Sequence, residues 1–407
     1  MHPDLASTPI TKRLTPRQRL AEALTGGRPD VLPAAPCYLM LFLEEFQRAN
    51  YIESYRRHLR GKTRCRVDHA QDTHFRAEAL YQSYGVFKAR PDWIEVPEGA
   101  SRAWAERTDI VVQDGVLYYQ DRGSGQRQPM SHVRLRGDPN MTGDDPSRHD
   151  IHDGRDQLRS RSDVDARLPV HPAKELLQSG TLDLAAQVVA DYGDEYFIST
   201  ILDPPFSDAY DLLGFEGLML IQLEQPDLFH SVLQRKLEQC QQVLDAWAAV
   251  GIHGVYAEEV FTGADILSPQ SYERFVFAYN QPYFRHLRKL GLLSIHYVCG
   301  DVVPRLDRIV ELDVDAVAVE ESKKNFRIEI EEVIERVAGR RAVLGNIDAV
   351  RFGPGATLEE MAAEVKRQAQ VGARARGFVI STGSPFPLDT NPRLIDTLVS
   401  TAHSLAP

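Results

Sequence analysis

Residues 292–321 read LLSIHYVCGDVVPRLDRIVELDVDAVAVEE. An apolar run at 292–298 is followed by Cys-Gly-Asp, by a segment with helical spacing at 303–312, and by a second apolar run at 316–319. Short apolar runs that flank a helix are typical of a strand–helix–strand unit with parallel strands. This stretch therefore predicts one repeat of a parallel α/β fold, with polar residues directly after each strand.

The same alternation of strands and helices extends over 183–400. An amphipathic helix is predicted at 225–250, and Thr357 with Glu360 forms a capping box that begins another helix. The further strands are predicted at 197–202, 254–257, 342–344 and 377–380. Because the unit repeats to the end of the sequence, we predict a single (β/α)8 TIM-type barrel rather than an open sheet.

The first part of the chain is less regular. We predict that residues 1–407 form one domain in which an N-terminal extension precedes the barrel. The stretch at about 120–170 is rich in Asp, Arg, Gly, Ser and His, and it predicts a long polar insertion. We expect the wider interval 60–170 to be variable and partly loop-rich.

Composition bounds the class of protein. The chain has 407 residues, of which 43% are hydrophobic and 26% charged, as in ordinary globular proteins. A net charge of −11 makes nucleic acid and anionic membranes poor partners. The first residues lack a secretory-signal pattern, and no apolar run is long enough to cross a bilayer, so we expect a cytoplasmic protein. The cysteines form no CxxC pair, so a disulfide framework is not expected.

Residues that follow barrel strands are the natural candidates for chemistry, because active sites lie at the carboxyl ends of those strands. We predict acid–base roles for Glu259, Glu321 and Asp301. Glu258, Glu320 and Lys323 follow strands as well. The predicted substrate-binding residues are Asp203, Tyr297, Asn346, Asp348 and Ser384.

His296 and Cys299 are the candidate metal ligands, since a histidine, a thiol and carboxylates that converge can hold zinc or another divalent ion. The His296–Cys299 pair and the Glu320–Glu321 pair can also be explained by structure alone. A buried histidine beside a free cysteine can be part of the core, and Glu320 with Glu321 can begin a solvated helix.

Several motifs occur together along the chain. They are Thr15-Pro-Arg-Gln-Arg19 with Gly27-Arg-Pro-Asp30, Asp203-Pro-Pro-Phe206, Leu267-Ser-Pro269 with Tyr272 and Phe275, His296-Tyr-Val-Cys-Gly-Asp301, Gly345-Asn-Ile-Asp348, and Gly383-Ser-Pro385 before Asn391-Pro392. Together they resemble the uroporphyrinogen decarboxylase superfamily, which includes the methylcobalamin:coenzyme M methyltransferases. The resemblance runs from Leu14 to about His403, is weakest at 60–170, and implies a (β/α)8 barrel.

The two branches of this superfamily differ in their motifs. True decarboxylases carry Met-Arg-Gln-Ala-Gly-Arg, whose arginines hold the porphyrinogen carboxylates, whereas residues 36–45 here contain no arginine. The methyltransferase branch binds zinc through His-x-Cys-Gly and a later Cys. Here Cys299 matches, Tyr297 takes the histidine position, His296 lies one residue earlier, and Ser384 replaces the second Cys. A site of His296, Cys299 and Glu259 or Glu321 would still supply N, S and O ligands.

The resemblance favours a methyltransferase that moves a methyl group between a small substrate and a corrinoid. It implies cobalamin, either free or carried by a separate corrinoid protein, and it implies a homodimer. One alternative is a metal-independent decarboxylase or lyase acting on a small carboxylic acid, with Glu259 or Glu321 as its acid–base group. Another is a non-catalytic ligand-binding barrel.

Overall fold

The computed structural model describes residues 13–130, 154–323, 325–353 and 355–407. The strands are β1 (Arg64–Arg66), β2 (Trp93–Glu95), β3 (Thr108–Gln113), β4 (Val116–Asp121), β5 (Arg127–Pro129), β6 (Phe197–Leu202), β7 (Gly254–Glu259), β8 (Leu293–Val298), β9 (Ala316–Val319), β10 (Ala342–Leu344) and β11 (Phe378–Val379).

The helices surround and connect these strands. They are α1 (Pro16–Leu24), α2 (Leu39–Leu59), α3 (His69–Tyr84), α4 (Arg102–Arg107), α5 (Arg161–Arg167), α6 (Ala173–Ser179), α7 (Asp183–Tyr192), α8 (Pro205–Asp208), α9 (Tyr210–Glu224), α10 (Pro226–Val250), α11 (Pro269–Ser271), α12 (Ala278–Leu290), α13 (Leu306–Ile309), α14 (Ile330–Val337), α15 (Leu358–Gly372) and α16 (Pro392–Ala402). No helix within the described ranges is both long and apolar enough to cross a membrane.

A curled parallel sheet forms the centre of the fold, with its strands in the spatial order β11-β10-β9-β8-β7-β6-β2. Its two edges are joined through residues 33–35. Ala35 N donates to Ile380 O at 2.9 Å, next to β11, and Asp92 N donates to Ala34 O at 2.9 Å, next to β2. The predicted α/β class is confirmed, and the curled sheet is consistent with a TIM-type barrel.

The predicted units of the second half agree closely with the structure. Strands predicted at 197–202, 316–319 and 342–344 coincide with β6, β9 and β10, and the capping box of Thr357 and Glu360 begins α15. Two predictions need correction. β7 continues through Glu258 to Glu259 instead of ending at 257, and the helix predicted at 303–312 is a short 3-10 turn followed by α13.

Side chains along each strand alternate between the barrel interior and the helix layer. In β8, Ile295 and Tyr297 pack in the interior cluster, whereas Val298 packs against the helices. Helix α1 closes the amino-terminal end of the barrel, since its Leu20 and Leu24 belong to the same interior cluster. The open end is therefore the carboxyl-terminal end of the strands.

The interval 60–170 contains more regular structure than the sequence indicated. It supplies β2 of the central sheet and a second, antiparallel sheet in the order β1-β3-β4-β5. Asp114 and Gly115, both with positive φ, form the two-residue turn between β3 and β4. Residues 131–153, which hold much of the predicted polar insertion, and residues 1–12 of the predicted N-terminal extension lie outside the described residues.

A buried polar cluster stabilises the contact between the two edges of the central sheet, near β2 and β11. Asp92, fully buried, accepts hydrogen bonds from Arg19 Nη1 at 2.6 Å, from Ala34 N at 2.8 Å and from His403 Nε2 at 2.8 Å. Arg19 also donates to Asp30 at 2.9 Å. We call Arg19, Asp30, Asp92 and His403 the seam cluster, because it ties α1, β2 and the C-terminal segment to residue 34.

Candidate functional site

Polar side chains converge at the open end of the barrel, where β7, β8 and β9 end. The alternation along each strand directs Glu258 and Tyr297 inward, and the residues directly after β8 and β9 continue this wall. The group, which we call the mouth cluster, consists of Tyr38, Glu258, Tyr297, Cys299, Glu320, Glu321, Lys323 and Ser384.

Glu258 lies at the centre of the mouth cluster. Tyr38 donates its hydroxyl hydrogen to Glu258 Oε2 in a short contact, and Cys299 Sγ lies 3.9 Å from Glu258 Oε1. Burial raises the pKa of Glu258 to about 7; the charge of Glu320 adds to this rise, and the Cys299 contact opposes it. A carboxyl group with a pKa near 7 can give and take a proton at neutral pH, as a general acid or base requires.

Tyr38 is held in an unusual backbone conformation. Its φ of 50° and ψ of 40° are left-handed, which is uncommon for a residue with a side chain. This turn ends the segment at 33–37 and begins α2, and it places the phenol against Glu258. Such strained residues concentrate at functional sites, where the surrounding structure holds them in place.

Aromatic rings form the floor beneath Glu258. The ring of Tyr256 lies 5.8 Å from that of Tyr38 and 5.2 Å from that of Tyr297, between centroids. Tyr256 donates to Cys37 Sγ at 3.3 Å, and Tyr297 donates to Gly383 O at 2.7 Å. The aromatic rings shield Glu258 from water on the interior side of the barrel. This shielding explains why burial is the largest cause of its raised pKa.

The Cys299 thiol is not an activated nucleophile. Burial raises the pKa of Cys299 far above its ordinary value, and the charges of Glu258 and Glu320 raise it further. Reactive cysteines require the opposite environment, in which nearby positive groups stabilise the thiolate. At neutral pH Cys299 is therefore a thiol that can donate a weak hydrogen bond to Glu258.

Lys323 organises the other half of the mouth cluster. Its Nζ lies 2.6 Å from Glu320 Oε1, 2.8 Å from Ser384 Oγ and 3.4 Å from Glu321 Oε1. Ser384 in turn donates to Glu321 Oε1 at 2.9 Å. Burial opposes the charge on Lys323, but the hydrogen bond and charge of Glu320 raise its pKa, so it stays cationic. Burial also raises the pKa of Glu321.

Gly383 allows this half of the site to close. A Cβ atom at Gly383 would lie 2.2 Å from Glu321 N, far inside van der Waals contact. The absence of a side chain lets the loop after β11 approach the end of β9 and brings Ser384 to Glu321. Two of the residues selected from the sequence, Glu321 and Ser384, are therefore in direct contact.

Four other predicted residues lie outside the mouth cluster. Asn346 Nδ2 donates to Glu320 O at 3.0 Å and to Ile328 O at 2.9 Å, which ties β10 to the loop after β9. Asp348 accepts from the amides of Val350 and Arg351, the backbone amide of Asp301 donates to Asp265, and Asp203 lines a separate cavity.

The structure corrects the placement of Glu259 and His296. Because β7 continues to Glu259, that carboxylate points away from the mouth and is fully buried in the helix layer. It accepts hydrogen bonds from Ser207 at 2.7 Å and from Asn280. His296 lies beside it, 3.6 Å from Nε2 to Oε2, with its ring against Phe284. Both residues are behind the barrel wall.

The donor atoms do not fit the zinc site implied by the sequence. His296 faces the helix layer, whereas Cys299 packs against the interior cluster. Across the portion of the chain that the structure describes, no three His, Cys, Asp or Glu side chains form a group that could hold a metal ion.

We expect zinc binding to be insensitive to Cys299→Ser, because His296 and Cys299 cannot approach one ion without rearranging β8. Metal content after zinc titration and gel filtration of tag-free protein, measured by mass spectrometry, tests this. The matched variant is His296→Asn. Stoichiometric zinc in the wild type that is lost in Cys299→Ser would contradict the expectation, and loss in His296→Asn as well would show that both residues bind the ion.

The sequence interpretation placed Glu258, Glu320 and Lys323 after strands but assigned them no role, and it did not include Tyr38. The signal for Glu258 was the alternation along 254–259, where Tyr256 and Glu258 share one side. Tyr38 had no comparable local signal, because its position depends on a turn and on contacts with a distant strand.

A curled parallel sheet of seven strands, with polar side chains gathered at the carboxyl ends of the strands, is consistent with the arrangement of a barrel enzyme. Residues 155–405 match the family described as Uroporphyrinogen decarboxylase (URO-D), and the chain belongs to this family. The resemblance predicted from the sequence motifs is confirmed.

Curated relatives include two uroporphyrinogen decarboxylases. That of Arthrobacter sp. (strain FB24) is 31% identical over 156 residues, which are 38% of this chain and 43% of the relative. That of Salinispora tropica is 29% identical over 181 residues, 44% of this chain and 46% of the relative. The chain thus spans about half the length of these relatives.

A solved structure shares the fold over almost the whole chain. It is a methyltransferase from Methanosarcina mazei, with a TM-score of 0.65 and 16% identity, and the match covers 96% of this chain and 99% of that one. Similarity at this level of identity shows a common fold.

Proposed function

We propose that this chain is an enzyme of the URO-D family that transfers a methyl group between a small substrate and a corrinoid. The observation that carries the proposal is Glu258, a carboxyl group with a pKa of about 7 held by Tyr38 and Cys299 at the barrel mouth. The whole-length fold similarity to a methyltransferase supports the choice of reaction.

Glu258 acts in this proposal as the proton donor. When the bond between a methyl group and a substrate oxygen or nitrogen breaks, the heteroatom keeps the electron pair and takes the proton of Glu258. The corrinoid, free or carried by a separate protein, is the co-substrate that receives the methyl group. Tyr38 then donates to the Glu258 carboxylate until solvent returns the proton.

The cation at the mouth supports a second candidate, decarboxylation of a small carboxylic acid without a metal. Lys323 is partly exposed and can attract a substrate carboxylate, although Glu320 and Glu321 already balance its charge. Loss of CO₂ leaves an electron pair on carbon, which the protonated Glu258 would quench. The curated relatives bear the name of a decarboxylase.

The two candidates predict different products from the same site. We expect the protein to form methylcobalamin from reduced free cobalamin and a panel of small methylated ethers and amines, followed by absorbance. Release of ¹⁴CO₂ from carboxyl-labelled small acids, with no methyl transfer from any donor, would replace the first candidate by the second. Glu258→Gln should strongly lower either activity.

We expect no decarboxylation of uroporphyrinogen at a rate comparable with a true decarboxylase. Residues 36–45, where the family's decarboxylases carry arginines, supply Tyr38 to the mouth and contain no cation. A polycarboxylate would therefore face Glu258 and Glu320 without guanidinium partners. Chromatography of the porphyrins after oxidation measures turnover, and rapid formation of coproporphyrin would refute the expectation.

We further propose a homodimer that works in the cytoplasm, with a separate corrinoid protein as its partner in the reaction. Light scattering at micromolar protein concentration measures whether the chain forms a dimer. A monomer there would contradict it without bearing on the chemistry of the mouth cluster.

A further inference from the structure

A further cavity lies at the protein surface, between the end of α2 and the first half of α3. Its volume is about 520 Å³, and no residue of the mouth cluster lines it. Helix α2 begins next to Tyr38 and has 21 residues, so the cavity is about 30 Å along this helix from the mouth. The charged and titratable side chains of its lining are Arg57, His58, Arg60, Lys62, His74 and Glu78. We call it the basic cavity.

The lining of the basic cavity has the opposite charge to the protein as a whole. The chain has a net charge of −11. In the cavity, Arg57, Arg60 and Lys62 stand against the single carboxylate of Glu78, without counting the histidines. Glu78 also contacts His74, with 3.7 Å between Oε1 and Nε2. A surface concavity with an excess of one charge attracts ligands of the opposite charge.

The cations of the basic cavity have no carboxylate partner within the part of the chain that the structure describes. The side chains of Arg60 and Lys62 form no hydrogen bond or ion pair there, and Arg57 Nη2 donates to the neutral Ser54 Oγ at 3.2 Å. The dipole of α2 favours cations in its last turn, which includes Arg57, but Lys62 lies beyond the end of that helix.

Other carboxylates on the same two helices are paired with other cations. On α2, Glu53 Oε2 lies 3.9 Å from Arg56 Nη1. On α3, the buried Asp72 lies 2.6 Å from Arg76 Nε. The positive charge of the basic cavity is therefore available to an anion from solution.

We propose that the basic cavity binds a small molecule through a diphosphate group. The three cations come from separate positions of the chain, so they can surround an anion that spreads its charge over two linked phosphates. The guanidinium groups of Arg57 and Arg60 match phosphate oxygens in pairs, and the ammonium group of Lys62 adds a point charge. A volume of about 520 Å³ leaves room for an organic group beside the diphosphate.

Pyrophosphate, inorganic phosphate and tricarballylate are the probes. The first is the proposed group itself, the second carries half of it, and the third is a polyanion without phosphate. Isothermal titration calorimetry of the full chain at pH 7.5 should show pyrophosphate binding about tenfold or more tightly than either of the others. Arg60→Gln and Lys62→Gln should each weaken pyrophosphate binding about tenfold, with urea unfolding unchanged because both side chains are exposed.

Lys289→Gln is the control for a general loss of positive charge. Lys289 is an exposed cation in the last turn of α12 that does not line the basic cavity, so this variant should bind pyrophosphate like the wild type. The proposal is overturned if pyrophosphate does not bind at about 5 mM, if Arg60→Gln and Lys62→Gln both bind it like the wild type, or if tricarballylate binds as tightly. None of these outcomes bears on the chemistry of the mouth cluster.

Discussion

Replacing Glu258 with Gln is expected to lower kcat/KM by about 10²- to 10⁴-fold, the usual contribution of a general acid or base. The amide keeps the size of the side chain but cannot give a proton. The neighbouring variant Glu259→Gln is the matched control. Glu259 lies behind the barrel wall, where it contacts Ser207 and Asn280. Those molecules of the Glu259→Gln variant that fold should therefore keep most of the activity. An active Glu258→Gln protein would remove the carboxylate from the proposed chemistry.

The same substitution should change how stability depends on pH. The pKa of Glu258 is about 7 in the fold and near 4.5 in an unfolded chain, so the folded state holds the proton more tightly. This contribution, about 3 kcal/mol, is fully present below about pH 4.5 and is lost as the pH rises through 7. Glu258→Gln should therefore be more stable than the wild type at pH 8.5 and similar at pH 4.5, as measured by urea unfolding.

Asp92→Ala is expected to destabilise the fold by about 3–5 kcal/mol, the largest stability effect predicted for this chain. The change leaves the buried Arg19 with Asp30 as its one carboxylate partner among the described residues, and it removes the acceptor for Ala34 N and His403. Urea unfolding with fluorescence detection measures the loss in free energy of unfolding.

The exposed pair of Arg17 and Asp194 provides the control for this prediction, with 3.7 Å between Nη1 and Oδ1. Exposed ion pairs contribute little, so Asp194→Ala should cost about 0.5 kcal/mol or less. Equal losses in the two variants would show that the seam cluster does not hold the sheet together.

The sequence predicted the regular half of the barrel because its strands are apolar runs with polar ends. The run at 316–319 is flanked by Asp315 and Glu320, and β9 has those bounds. The end of β7 was harder, since glutamate is rare in strands and its presence suggested that the strand had finished. That difference of two residues determined which of Glu258 and Glu259 was assigned to the mouth.

Other parts of the fold left weaker traces in the sequence. β2 has only three residues, and its place in the sheet is set by pairing with β6 far along the chain. The position of residue 34 depends on Ile380 and Asp92 in the same way. The hairpin of β3 and β4 is different, because Asp114-Gly115 between alternating apolar residues is a local signal that was overlooked.

The contact between the two edges of the sheet also affects the order in which the parts of the chain fold. Cys37 N donates to Thr382 Oγ1 across 345 residues of sequence, and Ala34 pairs with Ile380. During synthesis the early segment must therefore wait for the final strand to leave the ribosome. Contacts of such long range form slowly because they close large loops. A nascent chain that stops before Ile380 would leave residues 34–37 without their hydrogen-bond partners Ile380 and Thr382.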